Sequence, residues 1–382
     1  MLKQQILEGA QAIALTVNNI QPGVVAAYPI TPQTHIVETL AQLKADGLAD
    51  FQYVKAESEY AAASIVLGAT ATGVRSYTAT SSQGLLYMLE VLYNIAGLRL
   101  PVVLTCANRA VSAPLNIWND QQDAMAMRDA GWLMFFAANH QEAVDQHIMA
   151  YALAEKLRLP VVVNVDGFIL THSFEPVAIP SAFIIKKYLP DYKPQPQTYL
   201  NTQQPITLGH LVTPEHYQTY RQNLHQDLIN SLSLIKTEYR KYQKIIHGQS
   251  ITSQDNGLYK YYGPARPQTI IVAMGSVAGT IQQAIDEGQQ KKVGLLQLKV
   301  YRPFPIKEIL GIIKLGKNVA VIEKAISLGS GGPLATDLQA IIPKAINFSS
   351  YIAGLGGRDI TVKMIQKIIK QADQPQKITK FL

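Results

Sequence analysis

Short apolar runs alternate with longer helical stretches between residues 23 and about 173. The runs are rich in β-branched residues and are bounded by small or polar ones, which is typical of parallel strands joined by helices. This pattern predicts strands at 24–28, 52–55, 75–79, 102–106, 132–137 and 161–165, with helices such as 57–71 and 85–95 between them. We therefore expect an α/β fold with a doubly wound parallel sheet, whose ligands bind at the carboxyl ends of the strands.

Residues 183–265 have a different pattern, in which Pro-rich ends enclose one long helix predicted at 215–247. Thr213 and Pro214 suit the N-cap and first position of that helix, and Gly248 suits its end. From residue 268, the segments TIIVAMGS, GLLQLKVYRPFP, NVAVIEKA and INFSSYIAGL predict the strands of a second α/β unit. The expected organisation is a first domain at 1–182, a linker with a long helix at 183–265 and a second domain at 266–382.

The N-terminal segment MLKQQILEGAQAIALTV has the spacing of an amphipathic helix, with Leu2, Ile6, Ile13 and Leu15 on or near one face. It lacks the cleavage pattern of a signal peptide. No apolar run in the sequence reaches the roughly 18 residues that a membrane span needs. We expect a cytoplasmic chain that does not contact a membrane.

Composition narrows the possible functions further. A length of 382 residues is enough for two or three domains, and 48% apolar with 16% charged residues excludes a disordered chain. The net charge of +7 comes from scattered Lys and Arg without interleaved aromatic residues, so we expect no nucleic-acid binding. A basic surface is equally suited to an acidic protein partner. Cys106 is the single cysteine, so the chain alone can form neither a disulfide nor a four-thiolate iron–sulfur site.

Thr31 follows the first predicted strand, in the segment AAYPITPQT. Threonine before proline is a common helix start, so one interpretation of Thr31 is a simple N-cap. A helix N-terminus also presents free N–H groups and positive potential, which suit the carboxylate of a substrate. The two interpretations are compatible.

Two acids, Glu57 and Glu59, begin the helix predicted after the second strand. Acids in a first helical turn often do no more than complement the helix dipole. Side chains two positions apart on a helix point roughly 200° apart. Only one of the two acids can therefore face a site, while the other meets solvent.

Arg109 ends the strand in PVVLTCANRAV and precedes an irregular stretch that holds Trp118, Asp120 and Asp123. An arginine here can be a structural ion-pair partner, or its planar fork can bind a carboxylate, and its position just past a buried strand favours the second. For the polar turn at 78–84 we expect a helix cap and close packing at Gly84, without a catalytic role.

Several motifs of other enzyme classes are missing from the sequence. It has no Walker loop and no pair of histidines at helical metal-binding spacing, and GSGGP near Gly329 lacks the spacing of a dinucleotide fingerprint. It also lacks the Gly-Asp-Gly and downstream Asn pair that hold magnesium diphosphate in thiamine enzymes. We expect no metal on this chain and no complete thiamine site.

Several segments, taken together and in order over nearly the whole chain, resemble the alpha subunit of pyruvate:ferredoxin oxidoreductases. They are YPITPQT, ESEYAAASIVLGATATG, TATSSQGL, NRAVSAPLNIWNDQQD, RDAGW, QEAVDQ, DGFILTHS, VYRPFP and GLGGRDI. The resemblance implies a pyrimidine-binding thiamine fold followed by a domain similar to the carboxyl-terminal domain of transketolase. It also implies oxidative decarboxylation of pyruvate to acetyl-CoA and carbon dioxide in anaerobic metabolism.

The resemblance also implies roles for residues and partners. Glu59 matches the acid that binds the aminopyrimidine ring of thiamine diphosphate, while Thr31 and Arg109 match residues that hold the carboxylate of the 2-oxoacid. Magnesium and [4Fe-4S] clusters would lie on beta, gamma and delta partner subunits, with coenzyme A as substrate and ferredoxin or flavodoxin as electron acceptor. Gln121 stands where the family often has histidine, which argues against a titrating role there. Residues 112–116 look like the pyruvate branch.

Three other interpretations remain. The chain could belong to a related 2-oxoacid:ferredoxin oxidoreductase, or be a non-catalytic scaffold subunit that keeps the fold without binding thiamine. A stand-alone transketolase-like enzyme is the third, and the missing diphosphate motif argues against it. The presence together of Glu59, Thr31 and Arg109 argues against the scaffold.

Overall fold

The structure is a computed structural model that describes residues 2–372 and 379–382. Its strands are β1 (Gln5–Glu8), β2 (Val24–Ala27), β3 (Gln52–Lys55), β4 (Ser76–Thr80), β5 (Val103–Asn108), β6 (Leu133–Ala137), β7 (Val161–Asp166), β8 (Phe174–Val177), β9 (Tyr259–Tyr262), β10 (Thr269–Met274), β11 (Val293–Leu298), β12 (Val300–Arg302), β13 (Asn318–Glu323), β14 (Asn347–Ile352) and β15 (Lys380–Phe381). Its helices are α1 (Gly9–Ile20), α2 (Thr34–Ala45), α3 (Glu59–Ala71), α4 (Ser82–Gly97), α5 (Gln122–Ala126), α6 (His140–Leu157), α7 (Ala182–Tyr188), α8 (Pro214–Tyr242), α9 (Val277–Glu287), α10 (Ile306–Ile313), α11 (Pro333–Gln339) and α12 (Val362–Gln371).

A first sheet has the strand order β12-β6-β7-β5-β4-β2-β3, and all of its strands are parallel except β12. Its six parallel strands confirm the predicted ones to within two residues at each end. Strands β5 and β7 are buried along their whole length, which agrees with their continuous apolar runs. The prediction of a doubly wound parallel sheet is therefore confirmed.

A second sheet has the order β15-β14-β13-β10-β11-β9, in which β9 is antiparallel to β11. Strand β9 comes from the segment that we expected to be linker. The apolar run GLLQLKVYRPFP, predicted as one strand of the second unit, is two strands: β11 stays in the second sheet, whereas β12 pairs with β6 of the first. Between them lies Lys299, which is buried and paired with Asp255 and Glu142, so the chain changes sheets at a buried charge.

The N-terminal segment differs from its prediction. Residues Gln5–Glu8 form strand β1, which pairs antiparallel with β8, and the helix begins only at Gly9. The alternation of polar and apolar residues at the start also fits a strand, and pairing with β8 decides between the two. Ile6, placed on the apolar face of the predicted helix, is mostly exposed.

The long helix in the middle of the chain is confirmed. Helix α8 begins at Pro214 with Thr213 in extended conformation before it, continues into a π-helical turn at Gln243–His247, and ends at Gly248 with φ of 65°. Over residues 2–372 and 379–382, none of the helices has both the length and the apolar character needed to cross a membrane.

Candidate active site

Polar residues follow four neighbouring strands of the first sheet at the same edge. Because β2, β3, β4 and β5 are parallel, their carboxyl ends lie side by side, and the segments that follow them carry Thr31, Glu59, Ser81 and Arg109 respectively. The structure therefore brings all three residues implied by the family resemblance to one edge of the sheet. This is the edge where open α/β sheets bind ligands.

Glu59 is the buried acid of the pair after β3. Helix α3 begins at Glu59 because Ser58 has an extended backbone and its hydroxyl accepts a hydrogen bond from the N–H of Ala61. Glu57 precedes the helix and is exposed, whereas Glu59 is only 9% exposed. The predicted helix start at residue 57 was wrong by two residues, and the expectation that only one acid faces inward is confirmed.

The surroundings of Glu59 are tight on one side and polar on the other. A Cβ atom at Gly84 would lie 2.8 Å from Oε1 of Glu59 and 2.4 Å from Oγ1 of Thr80, so only glycine fits there. The hydroxyls of Thr80 and Ser81 are buried without a partner in the described part of the chain, and no hydrogen bond within that part reaches the carboxylate of Glu59. Buried polar groups are normally paired, so this arrangement suits a polar ligand.

Thr31 lies in a turn and does not cap a helix. Helix α2 begins at Thr34 with Gln33 at its N-cap position, so the N-cap interpretation of Thr31 was wrong. The buried side chain of Gln33 donates to the carbonyl of Ala79 and accepts from the N–H of Ile30. These bonds fix the turn against β4 and leave the side chain of Thr31 exposed.

Arg109 reaches across to Thr31. Its Nη1 donates to the carbonyl oxygen of Thr31 at 2.9 Å, and its Nε donates to the carbonyl oxygen of Asn116 at 3.1 Å. The side chain is 7% exposed, and it forms no ion pair with an acid in the part of the chain that the structure describes. Burial lowers the pKa of the guanidinium, and nearby Asp123 partly offsets that effect. A buried cation with free N–H donors and no acidic partner fits the binding of a carboxylate ligand better than it fits a structural ion pair.

Asp123 joins the loops that follow β4 and β5. Its fully buried carboxylate accepts hydrogen bonds from the backbone N–H of Ser82 at 3.0 Å, from that of Arg109 at 2.9 Å, and from the amide of Asn108 at 3.0 Å. Burial raises the pKa of Asp123 to about 6, against the lowering effect of these bonds. Asp123 thus fixes the backbone of Arg109, a role that the sequence pattern did not reveal.

The loop with the GLGGRD motif, residues 354–359, follows strand β14 of the second sheet and binds the segment that lies beside Arg109. The N–H of Gly356 donates to Asp120, its carbonyl accepts from Asn116, and the N–H of Gly357 donates to the carbonyl of Asn119. Gly357 has φ of 83°, and a Cβ there would lie 2.4 Å from Trp118. The close backbone approach therefore requires glycine.

A buried ion pair completes the contact between the two sheets. Lys324, after β13, donates to Asp166 at the end of β7 at 2.9 Å and to Asn119 at 3.0 Å. Burial alone would raise the pKa of Asp166, but Lys324 and hydrogen bonds from Ser276 and Gln121 hold it below its usual value. The side chain of Gln121 thus has a structural role as a hydrogen-bond donor to Asp166. Beside this pair is a cavity of about 420 Å³ lined by loop residues that follow strands of both sheets and by the start of α9.

Comparisons with known proteins find relatives over nearly the whole chain. The family described as pyruvate flavodoxin/ferredoxin oxidoreductase, thiamine diphosphate-binding, matches residues 16–241, and pyruvate:ferredoxin oxidoreductase core domain II matches residues 268–365. The pyruvate synthase subunit PorA of Methanocaldococcus jannaschii is 42% identical over 98% of this chain and 96% of its own. The ketoisovalerate oxidoreductase subunit VorA of Pyrococcus horikoshii is 36% identical over 96% of this chain and 92% of its own.

Two solved structures share the fold. A 2-oxoglutarate:ferredoxin oxidoreductase from Magnetococcus marinus, solved with 2-oxoglutarate, coenzyme A and succinyl-CoA, superposes with a TM-score of 0.73 at 20% identity, covering 98% of this chain and 66% of that one. A split-gene transketolase superposes with a TM-score of 0.56 at 10% identity, covering 96% and 98%.

The fold and the carboxyl-edge site together define a thiamine-enzyme type of α/β protein, with a transketolase-like second unit. Sequence identity over nearly the whole chain makes the assignment narrower. The chain belongs to the pyruvate flavodoxin/ferredoxin oxidoreductase family.

Proposed function

We propose that this chain is the alpha subunit of a pyruvate synthase, which converts pyruvate and coenzyme A to acetyl-CoA and carbon dioxide and passes two electrons to ferredoxin or flavodoxin. Its similarity to PorA subunits over nearly its whole length supports this function. The structural observation that carries this proposal is that two buried polar groups, a carboxylate and a guanidinium, lie at the same edge of the first sheet with hydrogen-bonding capacity left for a ligand. Buried Glu59 and the unpartnered hydroxyl of Thr80 both lie against Gly84, and buried Arg109 has no acidic partner in the described chain.

Thiamine diphosphate fits the residues around Glu59. Its aminopyrimidine ring would be held by the carboxylate of Glu59, with the hydroxyls of Thr80 and Ser81 as further hydrogen-bonding groups near the start of α4. When bound, the cofactor supplies a carbon nucleophile for the keto group of the substrate. Glu59 would hold a proton at the ring nitrogen, and a positioned proton transfer of this kind is worth roughly 10²- to 10⁴-fold in rate.

The carboxylate of pyruvate fits the other half of the site. Arg109 would bind it through its free N–H donors, and the exposed hydroxyl of Thr31 would add a hydrogen bond. The contacts of Arg109 with the carbonyls of Thr31 and Asn116 fix the guanidinium before substrate arrives. Such preorganisation spares the cost of ordering the side chain on binding.

The site on this chain is half of a whole. Because the sequence lacks a diphosphate-binding motif, we propose that a beta subunit supplies the diphosphate and magnesium contacts, and that beta, gamma and delta subunits carry the [4Fe-4S] clusters and contacts to coenzyme A. The same proposal includes a cytoplasmic location and a division into a first domain at 1–182, a linker at 183–265 and a second domain at 266–382, with strand β9 at the end of the linker pairing into the second sheet. A related 2-oxoacid is the second candidate substrate, because VorA is 36% identical.

The test uses the complex that co-purifies with this chain, without oxygen. Glu59→Gln should lower pyruvate- and coenzyme A-dependent dye reduction by at least about 10²-fold, because the amide cannot hold the proton in the same way. Glu57→Gln is the matched control, since Glu57 is exposed and two residues away, and it should retain full activity.

The outcomes separate the candidates. Full activity in an assembled Glu59→Gln complex would refute the role of Glu59 and favour the scaffold interpretation. A wild-type complex that is inactive with pyruvate but active with a branched 2-oxoacid would replace the substrate.

A further inference from the structure

Three metal-ligating side chains meet outside the candidate active site, beside the N-terminal strand. Glu8 ends β1, His35 lies in the first turn of α2, and His172 lies in the turn between β7 and β8. One ligand atom from each, a carboxylate oxygen or an imidazole nitrogen, lies within 4.8 Å of the other two. The residues are far apart in sequence, so no spacing motif could indicate this cluster.

Strand pairing and ring packing bring the three together. Glu8 is opposite Phe174 in the β1–β8 ladder, which places it next to the turn that carries His172. Nδ1 of His35 is 2.7 Å from Oε1 of Glu8, and the imidazole rings of His35 and His172 have centroids 4.4 Å apart. Three separate elements therefore converge on one small volume.

The ring of His172 is oriented by its own neighbours. Buried Thr171 accepts a hydrogen bond from the N–H of Phe168 at 2.8 Å, and its hydroxyl lies 2.7 Å from Nδ1 of His172. The ring of Phe168 packs 4.7 Å from that of His172. With Nδ1 engaged, Nε2 is the nitrogen left for a ligand, and metal-binding histidines are usually oriented by an outer hydrogen bond of this kind.

We propose that Glu8, His35 and His172 form a binding site for a divalent transition cation of the zinc type. Two imidazoles and one carboxylate are ligands that zinc prefers, whereas magnesium and calcium take mainly oxygen ligands. The cation would replace the proton that His35 and Glu8 share.

The geometry needs only a small adjustment to accept the ion. Ligand atoms at about 2.0–2.2 Å from zinc are about 3.3–3.6 Å apart in a tetrahedron, so the 2.7 Å distance between Nδ1 of His35 and Oε1 of Glu8 would have to widen. The side chain of His35 is 46% exposed and that of Glu8 is 20% exposed, so both have room to rotate toward an ion. The exposed side leaves a fourth position for water. An ion here would tie β1 to α2, the helix that follows the Thr31 turn.

The test is equilibrium dialysis of the metal-depleted complex against zinc, with bound zinc measured by mass spectrometry per copy of this chain. Partner subunits can bind zinc too, so the readout is the difference between variants. Wild type should hold one more zinc than either His35→Gln or His172→Gln, or bind that zinc at least about tenfold more tightly. His216→Gln, on the exposed face of α8, is the control and should match wild type.

Two results would overturn the proposal. One is equal zinc binding by wild type and both variants. The other is a loss in His35→Gln without a loss in His172→Gln, because the ion would then be held by the His35–Glu8 pair alone and not by the three-residue site.

Discussion

The substitution Arg109→Lys tests the proposed substrate half of the site. Lysine keeps the positive charge but loses the planar fork that holds the carbonyls of Thr31 and Asn116 and still has donors free. A hydrogen bond between charged groups contributes about 1.5–3 kcal/mol. At about 1.4 kcal/mol per tenfold, its loss lowers kcat/KM for pyruvate by roughly 10- to 150-fold.

Most of the effect should appear in KM. The substrate carboxylate loses its charge as carbon dioxide forms, so its contact with Arg109 is at least as strong in the bound substrate as in the transition state. Removing such a contact raises KM and changes kcat much less. The assay is pyruvate-dependent dye reduction by the assembled complex over a range of pyruvate concentrations, with KM for coenzyme A as an internal reference that should not change.

Arg221→Lys is the matched control, because Arg221 is exposed on α8. An unchanged KM for pyruvate in an assembled Arg109→Lys complex would refute the reasoning. So would a fall in kcat with KM unchanged, since that result would mean that Arg109 acts in the transition state and not in binding the substrate carboxylate.

Two further predictions concern packing and charge. Gly84→Ala should lower kcat by about 10²-fold, because its Cβ would displace Glu59 and a shift of about 1 Å can cost that much. The control is Gly97→Ala in the same helix, where a Cβ meets nothing within 4 Å. Equal activity of the two variants would contradict the proposed effect on Glu59. The hydrogen bond from His247 to Asp145 raises the pKa of His247 above 6.5, so its stabilisation is complete below pH 6.5 and is lost as pH rises through the higher folded-state pKa. His247→Gln should therefore lower the melting temperature of the complex more at pH 6 than at pH 9, and equal losses at both would exclude the charged pair.

The sequence predicted the first sheet well because its signal is local. A parallel strand buried on both faces needs a continuous apolar run, and the six runs at 24–165 could be recognised one at a time. Two of the errors arose where the partner strand is distant. Gln5–Glu8 became a strand only by pairing with β8, and Val300–Arg302 joined the first sheet only by pairing with β6.

The candidate site divides in the same way. Glu59 could be chosen over Glu57 only through the family resemblance, because helix geometry predicted no more than that one of the two faces a site. Arg109 could be chosen by its place after a buried strand. The groups that hold them could not be chosen, because their partners are remote in sequence. Asp123 accepts hydrogen bonds from two loops that follow different strands, and an acid in an irregular stretch gives no sign of that. Asp166 and Lys324 are charged residues that follow buried apolar runs. Their positions indicated a buried ion pair, which sequence reasoning missed.

The two halves of the site depend on different parts of the chain. The Glu59 half is built within the first sheet, from the start of α3 and the glycine of α4 that packs against it. The Arg109 half depends on the second sheet as well, because Gly356 and Gly357 bind the loop that supplies the carbonyl acceptor for Arg109. The buried pair of Lys324, after β13, and Asp166, at the end of β7, joins the two sheets next to that loop, and Lys324 also donates to Asn119 of the loop. Separating Lys324 from Asp166 would leave a buried charge without a partner. The transketolase-like unit is therefore more than an appendage: it holds the part of the site that we propose recognises the 2-oxoacid.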